Sequence, residues 1–211
     1  MTFEPIAEFE AAKVVATDLS EDEYMRLYAG SGHEWVNGVV IKMSPVTLLH
    51  FKIVQYLSNL LQIYFVLRPI GQLLGEPYVL KITPTSPRRE PDLMVVLHSN
   101  HGQMNETAFL GPADICIEVV SPGSEDNDFG KKFVEYEKGG VKEYWIVDSL
   151  RKEARFYRLD ESGIYIAQAI DANSSYITPL LPDLQLHIAT LWQSPLPDVL
   201  VLGENVKAML K

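Results

Sequence analysis

The strongest constraint on the fold is an apolar run at residues 115–120, ICIEVV, which carries a single charge at Glu118. A near-continuous apolar run of this length is typical of a strand covered on both faces. Burying a carboxylate in such a strand is costly unless a partner compensates its charge. The chain must therefore form a central buried strand and supply a compensating group near Glu118.

The segments around this run alternate between strand and helix patterns. Pro91-Asp92 opens a strand at 93–97, a helix is predicted at 126–139, and KEYWIVD predicts a return strand at 142–148. Proline is tolerated at a strand's first position because it lies outside the hydrogen-bond ladder. The alternation around an apolar central strand predicts an α/β fold.

The N-terminal half contains three local signals of secondary structure. Ser20 and Glu23 form a capping-box pattern that predicts a helix start. Asn37-Gly38 between β-forming residues predicts a hairpin within 33–44. Apolar residues at spacings of three and four predict a long helix from 47 to about 68.

The remaining segments give weaker signals. Residues 72–82 are predicted to form one strand, 98–111 a polar excursion, and 151–170 a hairpin around a Gly163 turn. Prolines in the C-terminal third suggest a wrapping segment, and a short helix at about 198–210 is expected to pack on the domain or to form a dimer contact.

The 211 residues suit one domain with appendages. We expect an N-terminal arm at 1–18, the domain at 19–186 and a C-terminal extension at 187–211. The single cysteine, Cys116, excludes an internal disulfide. The N-terminus lacks a signal-peptide pattern, and the most apolar stretch, 53–67, is too short and too interrupted to span a bilayer. These features predict a soluble, cytoplasmic protein with no membrane contact.

The formal net charge of −10 argues against bulk electrostatic binding of nucleic acid. The charge is uneven, however. Residues 1–34 hold eight acids and two bases, whereas residues 128–158 hold six acids and eight bases. Any contact with nucleic acid is therefore expected near 128–158, with help from a metal ion.

Two carboxylates on neighbouring strands could share a Mg²⁺ or Mn²⁺ ion, because hard cations prefer oxygen ligands. Asp92 and Glu118 are the natural pair. Lys132 is the expected cation, since Asp128, Lys132 and Tyr136 recur at four-residue spacing on one helix face whereas Lys131 points elsewhere. From the residues alone, Asp128 and Lys132 could equally be an ordinary i,i+4 ion pair on the surface.

Five segments, HEWVNGVVIKMSP, REPDLMVV, ICIEVVSPGS, DFGKKFVEYEKGGV and EYWIVD, occur in this order and spacing. Together they resemble a family of restriction-endonuclease-like proteins in the PD-(D/E)XK nuclease superfamily, across roughly residues 19–184. The resemblance implies a mixed central β-sheet flanked by helices, with the active site where the central strands diverge.

Carried over by position, the resemblance makes Asp92 and Glu118 the motif acids and metal ligands. The superfamily pattern expects a lysine two residues after the second acid, where this chain has Val120. The family supplies its lysine from the following helix, at the position of Lys132. Glu34 and His50 match further polar positions near the site. From the residues alone, Glu34 could equally be a solvated strand-end carboxylate, and His50 a packing residue. Two further residues, Tyr136 and Asp148, are expected to support the site.

Three functional hypotheses follow. The first is a Mg²⁺-dependent (or Mn²⁺-dependent) endonuclease that hydrolyses DNA phosphodiester bonds, with a homodimer as the expected assembly. The second is a catalytically inactive binding or assembly module on the nuclease fold, favoured by the acidic surface. The third, a metal-dependent hydrolase of a small phosphate compound, suits the charge but lacks a phosphate-cradling glycine loop.

Overall fold

The computed structural model describes residues 13–43 and 45–211, and two of its helices, α1 (Glu21–Leu27) and α2 (Leu48–Leu67), begin at side-chain caps. Ser20 and Glu23 form the reciprocal capping box, and Thr47 Oγ1 accepts a hydrogen bond from the His50 amide. Both are N-terminal caps that satisfy otherwise unpaired amides. The helices are α1 (Glu21–Leu27), α2 (Leu48–Leu67), α3 (Phe133–Gly139) and α4 (Val199–Met209), with a π-helical turn at Asn127–Lys132 and a 3₁₀ helix at Ile188–Trp192.

The strands build one large sheet and several small ones. They are β1 (Lys13–Ala16), β2 (His33–Val36), β3 (Val39–Lys42), β4 (Gly71–Gly75), β5 (Val79–Lys81), β6 (Leu93–Leu97), β7 (Gln103–Met104), β8 (Ala108–Leu110), β9 (Ile115–Val120), β10 (Glu143–Asp148), β11 (Glu153–Leu159), β12 (Tyr165–Gln168), β13 (Ser175–Ile177) and β14 (Gln185–His187).

The central sheet has the strand order β12-β11-β10-β9-β6-β4. Strands β9 and β10 are parallel, joined through the π-helical turn and α3. The other neighbours in this sheet are antiparallel, so the sheet is mixed. With helices flanking it, the predicted α/β fold with a mixed central sheet is confirmed.

Each face of the central sheet covers its own apolar core. Ile117 and its alternate neighbours on β9 pack with α2 and α4. Cys116 and Val120 face the opposite core, which contains Tyr136 of α3. Because successive side chains on a strand point to opposite faces, Glu118 lies on the α3 side. The predicted two-sided burial of this strand is confirmed.

Two segments differ from the sequence expectation. The single strand predicted at 72–82 is wrong: Glu76-Pro77 divides it into β4 of the central sheet and β5 of a small sheet. Proline has no amide hydrogen and so cannot continue a ladder. The polar excursion at 98–111 contains β7 and β8, which pair with each other, and β8 also pairs with β5.

The predicted N-terminal arm falls partly outside the described residues. Residues 1–12 lie there, while the end of the arm, at Lys13–Ala16, forms β1 and pairs with β3. At the other end, α4 packs against α2 through the buried Leu202 and Val206. In the stretches 13–43 and 45–211, no helix has the length and apolar character needed to cross a membrane.

Candidate active site

Glu118 lies on β9, and Asp92 directly precedes β6, the antiparallel neighbour of β9. The pairing of β6 with β9 joins Leu93 to Ile117, and continuing this register by one residue places Asp92 opposite Glu118. Directly opposed residues on one face are near neighbours. The Val119 amide donates a hydrogen bond to Asp92 Oδ2 at 2.7 Å, which fixes the aspartate against β9.

Glu118 is almost fully buried and has two polar partners. Its Oε1 accepts a hydrogen bond from the Tyr136 hydroxyl at 3.0 Å and lies 2.9 Å from Lys132 Nζ. Burial raises the pKa of Glu118 well above its ordinary value, while the Lys132 ammonium opposes this rise. Tyr136 therefore supports the site, as expected from the sequence.

Lys132 is the buried cation of the site, only 2% exposed. Its Nζ lies 2.9 Å from Glu118 Oε1, 3.3 Å from Glu34 Oε1 and 3.6 Å from Asp128 Oδ1. Burial alone would lower the pKa of Lys132, but these carboxylates raise it well above the ordinary lysine value. The group is therefore an ammonium, and Asp128–Lys132 is not a surface pair.

A π-helical turn presents this lysine. The helix predicted over 126–139 is π-helical at Asn127–Lys132 and α-helical only from Phe133. Such turns are uncommon and occur often at functional sites. Asp128, Lys132 and Tyr136 are all buried, whereas Lys131 is exposed. The expected difference between the two lysines is confirmed.

Glu34 is fully buried, so it is not a solvated strand-end carboxylate. Its Oε2 accepts a hydrogen bond from Arg89 Nη1 at 2.5 Å, and Arg89 makes a bidentate pair with Glu135. Burial raises the pKa of Glu34, but the charges of Lys132 and Arg89 outweigh it and lower the pKa to about 2. A charge network thus links α3 to Lys132 through Glu34.

His50 lies in the first turn of α2 and contacts Asp92. Its Nε2 is 3.2 Å from Asp92 Oδ1, while its buried Nδ1 has no hydrogen-bond partner within the described residues. Burial lowers the pKa of His50, but the adjacent carboxylate of Asp92 more than offsets this and raises it overall. His50 therefore holds the aspartate rather than serving only in packing.

Sequence reasoning missed two acids of the site. Gly75 pairs with Leu93, so the next step of the register puts Glu76 opposite Asp92, in one row with Glu118. A Cβ at Gly75 would lie 2.6 Å from the Asp92 carbonyl oxygen, which shows how closely these strands approach. Burial, followed by the charge of Asp92, raises the pKa of Glu76.

Glu90 is the second missed acid. It is 5% exposed, and its Oε1 accepts a hydrogen bond from the Gly30 amide at 2.9 Å. Burial raises its pKa to about 7. The sequence does contain a signal for Glu90. It precedes Asp92 by two residues, and residues two apart in an extended segment share a face.

Asp148 does not join this group. It accepts hydrogen bonds from the Leu150 and Arg151 amides and pairs with the Arg151 side chain at 2.8 Å. Asp148 therefore stabilises the turn between β10 and β11. Its hydrogen bonds go to Leu150 and Arg151 and to no described residue of the site, so they give no support to its expected role there.

The site residues surround a cleft of about 70 Å³, lined by His50, Glu76, Glu90, Asp92, Glu118 and Lys132. Within residues 13–43 and 45–211, no three His, Cys, Asp or Glu side chains are arranged to hold a metal ion by themselves. Mg²⁺ commonly takes only one or two protein carboxylates and completes its shell with water and substrate phosphate. An ion held by Asp92 and Glu118 would therefore need water and substrate phosphate as its remaining ligands.

The family model of Uma2, described as "Putative restriction endonuclease", matches residues 21–189. The chain belongs to the Uma2 family. The match extends from α1 to the 3₁₀ helix and includes every residue of the cleft. The family assignment expected from the five sequence segments is thereby confirmed.

A solved structure is similar to this Uma2 chain in fold. It is described as a putative nuclease belonging to DUF820 from Anabaena variabilis ATCC 29413. The two share 17% sequence identity over 82% of this chain and 97% of the other, with a TM-score of 0.67. No curated protein matches the chain.

Proposed function

We propose that this chain is a Mg²⁺-dependent endonuclease of the PD-(D/E)XK kind, hydrolysing DNA phosphodiester bonds. The observation that carries the proposal is the placement of two acids on adjacent strands, Asp92 opposite Glu118, with the Lys132 ammonium 2.9 Å from Glu118. The family description supports the same reaction class. Lys132 takes the role that the motif gives to a lysine at the position of Val120.

Each side chain has a defined role in this proposal. Asp92 and Glu118 would hold the ion, which when bound supplies Lewis-acid activation of water and neutralisation of phosphate charge. The Lys132 ammonium stabilises negative charge that develops at the attacked phosphate. His50 orients Asp92, and Glu34 fixes the position of Lys132.

A second surface supports DNA as the partner despite the net charge of −10. A groove next to the π-helical turn is lined by two arginines, three aromatic residues and two acids: Arg151, Arg155, Phe129, Phe133, Tyr157, Glu125 and Asp126. The Arg155 guanidinium lies 5.2 Å from the Phe129 ring centroid. Arginine and aromatic side chains together suit a nucleic-acid backbone and its bases, and these five residues fall within the predicted 128–158 region, whereas the two acids precede it.

The deciding experiment is a titration of Mg²⁺ and Mn²⁺ against duplex, single-stranded and branched DNA. We expect metal-dependent cleavage by the wild type and by Asp22→Ala, an exposed control on α1. Asp92→Ala should lose cleavage while retaining the wild-type circular dichroism spectrum. Absence of cleavage by the wild type with either metal on all three DNA forms would refute the proposal.

The alternative, a catalytically inactive binding module, is favoured by one observation. The Lys132 ammonium lies 2.9 Å from Glu118 Oε1, so the charge of this buried carboxylate is already compensated without a metal ion. This alternative predicts no heat of Mg²⁺ binding in calorimetry and unchanged assembly in Asp92→Ala and Glu118→Ala.

The proposal includes a homodimer. Val66 is 80% exposed and Leu200 79% exposed, on two helices, α2 and α4, that pack against each other. Exposed apolar residues on adjoining helices suit a symmetric contact. Light scattering on the wild type should give twice the monomer mass, and Leu200→Glu should give the monomer mass. A monomeric wild type would contradict this part of the proposal.

A further inference from the structure

A groove runs from the active-site cleft along α2, between this helix and the edge strand β4. We call it the α2 groove; its polar wall is Gln55, Ser58, Asn59 and Gln62. These are the residues that interrupt the apolar stretch 53–67. Their spacing of three and four places them on one helix face, so the interruptions line a cavity.

The groove is continuous with the cleft. His50, Glu76 and Asp92 line both cavities. The α2 groove has a volume of about 570 Å³, within the range of about 300–1,000 Å³ typical of small-molecule sites. A ligand of nucleotide size therefore fits with one end beside Asp92.

The side chains of the polar wall determine which part of a nucleotide can bind in the α2 groove. Within the described residues, neither lysine nor arginine lines the α2 groove. Gln55 and Asn59 offer neutral amides, and each amide supplies both donors and an acceptor in one plane. Such groups match the edges of nucleobases and lack the charge that phosphate recognition uses.

The amides are also available for a ligand. The Gln62 amide donates to Ser58 Oγ at 3.1 Å, whereas neither Gln55 nor Asn59 hydrogen-bonds another described residue through its side chain. Opposite them lie apolar side chains, Leu73 and Leu93, and Phe51, 54% exposed, provides an aromatic face. An apolar floor with an aromatic ring and free amides suits a base with an accessible edge.

We propose that the α2 groove binds one unpaired nucleotide, through its base and sugar, next to the phosphate held in the cleft. In a duplex the Watson–Crick edge of a base is already paired, and extruding the base costs unstacking energy. The substrate class is therefore DNA with an unpaired nucleotide beside the scissile bond, such as a single strand or a flap. This inference rests on the proposed function.

The test measures binding separately from cleavage. Fluorescence anisotropy in the presence of Ca²⁺ measures how tightly the protein binds three labelled DNAs: an oligothymidylate, an abasic oligomer of the same length and a fully paired duplex. We expect the wild type to bind the oligothymidylate about tenfold more tightly than the abasic oligomer, because two neutral hydrogen bonds are worth about this factor. The duplex should also bind more weakly than the oligothymidylate.

The double variant Gln55→Ala/Asn59→Ala should lose the preference for bases. Alanine has a higher helix propensity than glutamine or asparagine, so α2 is preserved in this variant. Gln185→Ala, an exposed glutamine on β14 outside the groove, is the matched control and should keep the preference.

The outcomes separate this inference from the proposed function. Equal binding of the abasic oligomer, tighter binding of the duplex, or an unchanged double variant overturns the inference, even if metal-dependent cleavage is observed. A base preference that the double variant loses, in a chain that cleaves no DNA, supports the groove and refutes the nuclease.

Discussion

At the residue scale, Lys132 and its carboxylates form a buried cluster in which each charge depends on the others. Glu118, Glu34 and Asp128 lie within 3.6 Å of the Lys132 ammonium, and Arg89 supplies a second cation to Glu34. Removing one partner from a buried pair leaves an uncompensated charge. The cluster therefore fixes the position of the ammonium tightly.

The first prediction concerns this ammonium. Lys132→Met should lower kcat for metal-dependent DNA cleavage by roughly 10²–10³-fold, the size of effect seen when one charge-stabilising donor is removed. Lys131→Met, one residue away and exposed, should cleave at the wild-type rate. Thermal melts should first establish that both variants are folded. A folded Lys132→Met variant with wild-type kcat would show that Lys132 has no role in the proposed mechanism.

The second prediction concerns Glu34 and pH. Its pKa in the folded chain is about 2, below the ordinary value of 4.5. A depressed pKa contributes stability that is present above pH 4.5 and is lost as pH falls towards 2. Glu34→Gln should therefore lower the free energy of unfolding by about 3 kcal/mol at pH 7.

Urea denaturation of the wild type and Glu34→Gln at a series of pH values measures this effect. The difference between the two proteins should shrink as pH falls from 4.5 towards 2, because Glu34 then takes up a proton in the unfolded wild-type chain while it stays ionised in the folded one. A difference that stays constant down to pH 2 would show that the effect of the substitution is not electrostatic.

At the element scale, α2 serves two surfaces at once. Its apolar stripe packs on the central sheet and against α4, while its other face forms the polar wall of the α2 groove. Because α4 contributes the fully buried Val206 and the nearly buried Leu202 to the same core, the C-terminal helix determines how firmly α2 is held. The position of His50 depends on the same packing.

The third prediction follows from that packing. Leu202→Ala should lower the free energy of unfolding by about 2–5 kcal/mol, the usual cost of truncating a buried leucine. Leu27→Ala, at a leucine that is 60% exposed on α1, should change it by less than about 0.5 kcal/mol. Chemical denaturation monitored by tryptophan fluorescence compares the two. Equal effects would mean that α4 does not support the core.

Local signals in the sequence predicted most elements but not their long-range pairing. The periodicity of α2, the cap at Ser20 and the turn at Asn37-Gly38 depend on neighbouring residues and are confirmed. Division of the 72–82 segment depends on which strand accepts each half, and Glu76 meets Asp92 only through that pairing. For this reason Glu76 was missed.

The candidate site depended on two different kinds of inference. The buried charge at Glu118 and the shared face of Lys132 and Tyr136 could be inferred from the residues themselves. Asp92 and Glu118 were paired as carboxylates on predicted neighbouring strands, and the family resemblance supported this choice. Their register could not be predicted, because the pairing of β6 with β9 joins segments about twenty residues apart. Arg89 gave no signal, since its contacts with Glu34 and Glu135 cross 55 and 46 positions of the chain.

At the scale of the whole molecule, the proposed function requires an acidic chain to bring polyanionic DNA to a cleft lined by carboxylates. The net charge of −10 opposes this approach, and salt screens charges that lie further apart than about 10 Å at 0.1 M ionic strength. Under this proposal, local cations beside the π-helical turn orient the DNA. Arg155, with a half-exposed side chain, is one of these.

The fourth prediction tests that local contact. Arg155→Ala should weaken DNA binding and reduce the slope of log K against log salt by about 0.7–0.9, the value for one phosphate contact. Arg26→Ala, an exposed arginine on α1, should leave the slope unchanged. Anisotropy titrations at several salt concentrations supply both slopes. An unchanged slope in Arg155→Ala would place the DNA elsewhere.

Three neighbouring acids, Glu76 directly after β4, Asp92 directly before β6 and Glu118 on β9, also affect the energetics of folding. Like charges opposite one another on a sheet destabilise it, so the folded chain gains stability from any cation that binds among them. A ligand that binds only the folded chain raises the free energy of unfolding. The increase is about 2.7 kcal/mol when the free ion is at 100 times its dissociation constant. Added Mg²⁺ should raise the melting temperature of the wild type and leave that of Asp92→Ala unchanged. A measurement of stability would thus test the proposed metal binding without any substrate.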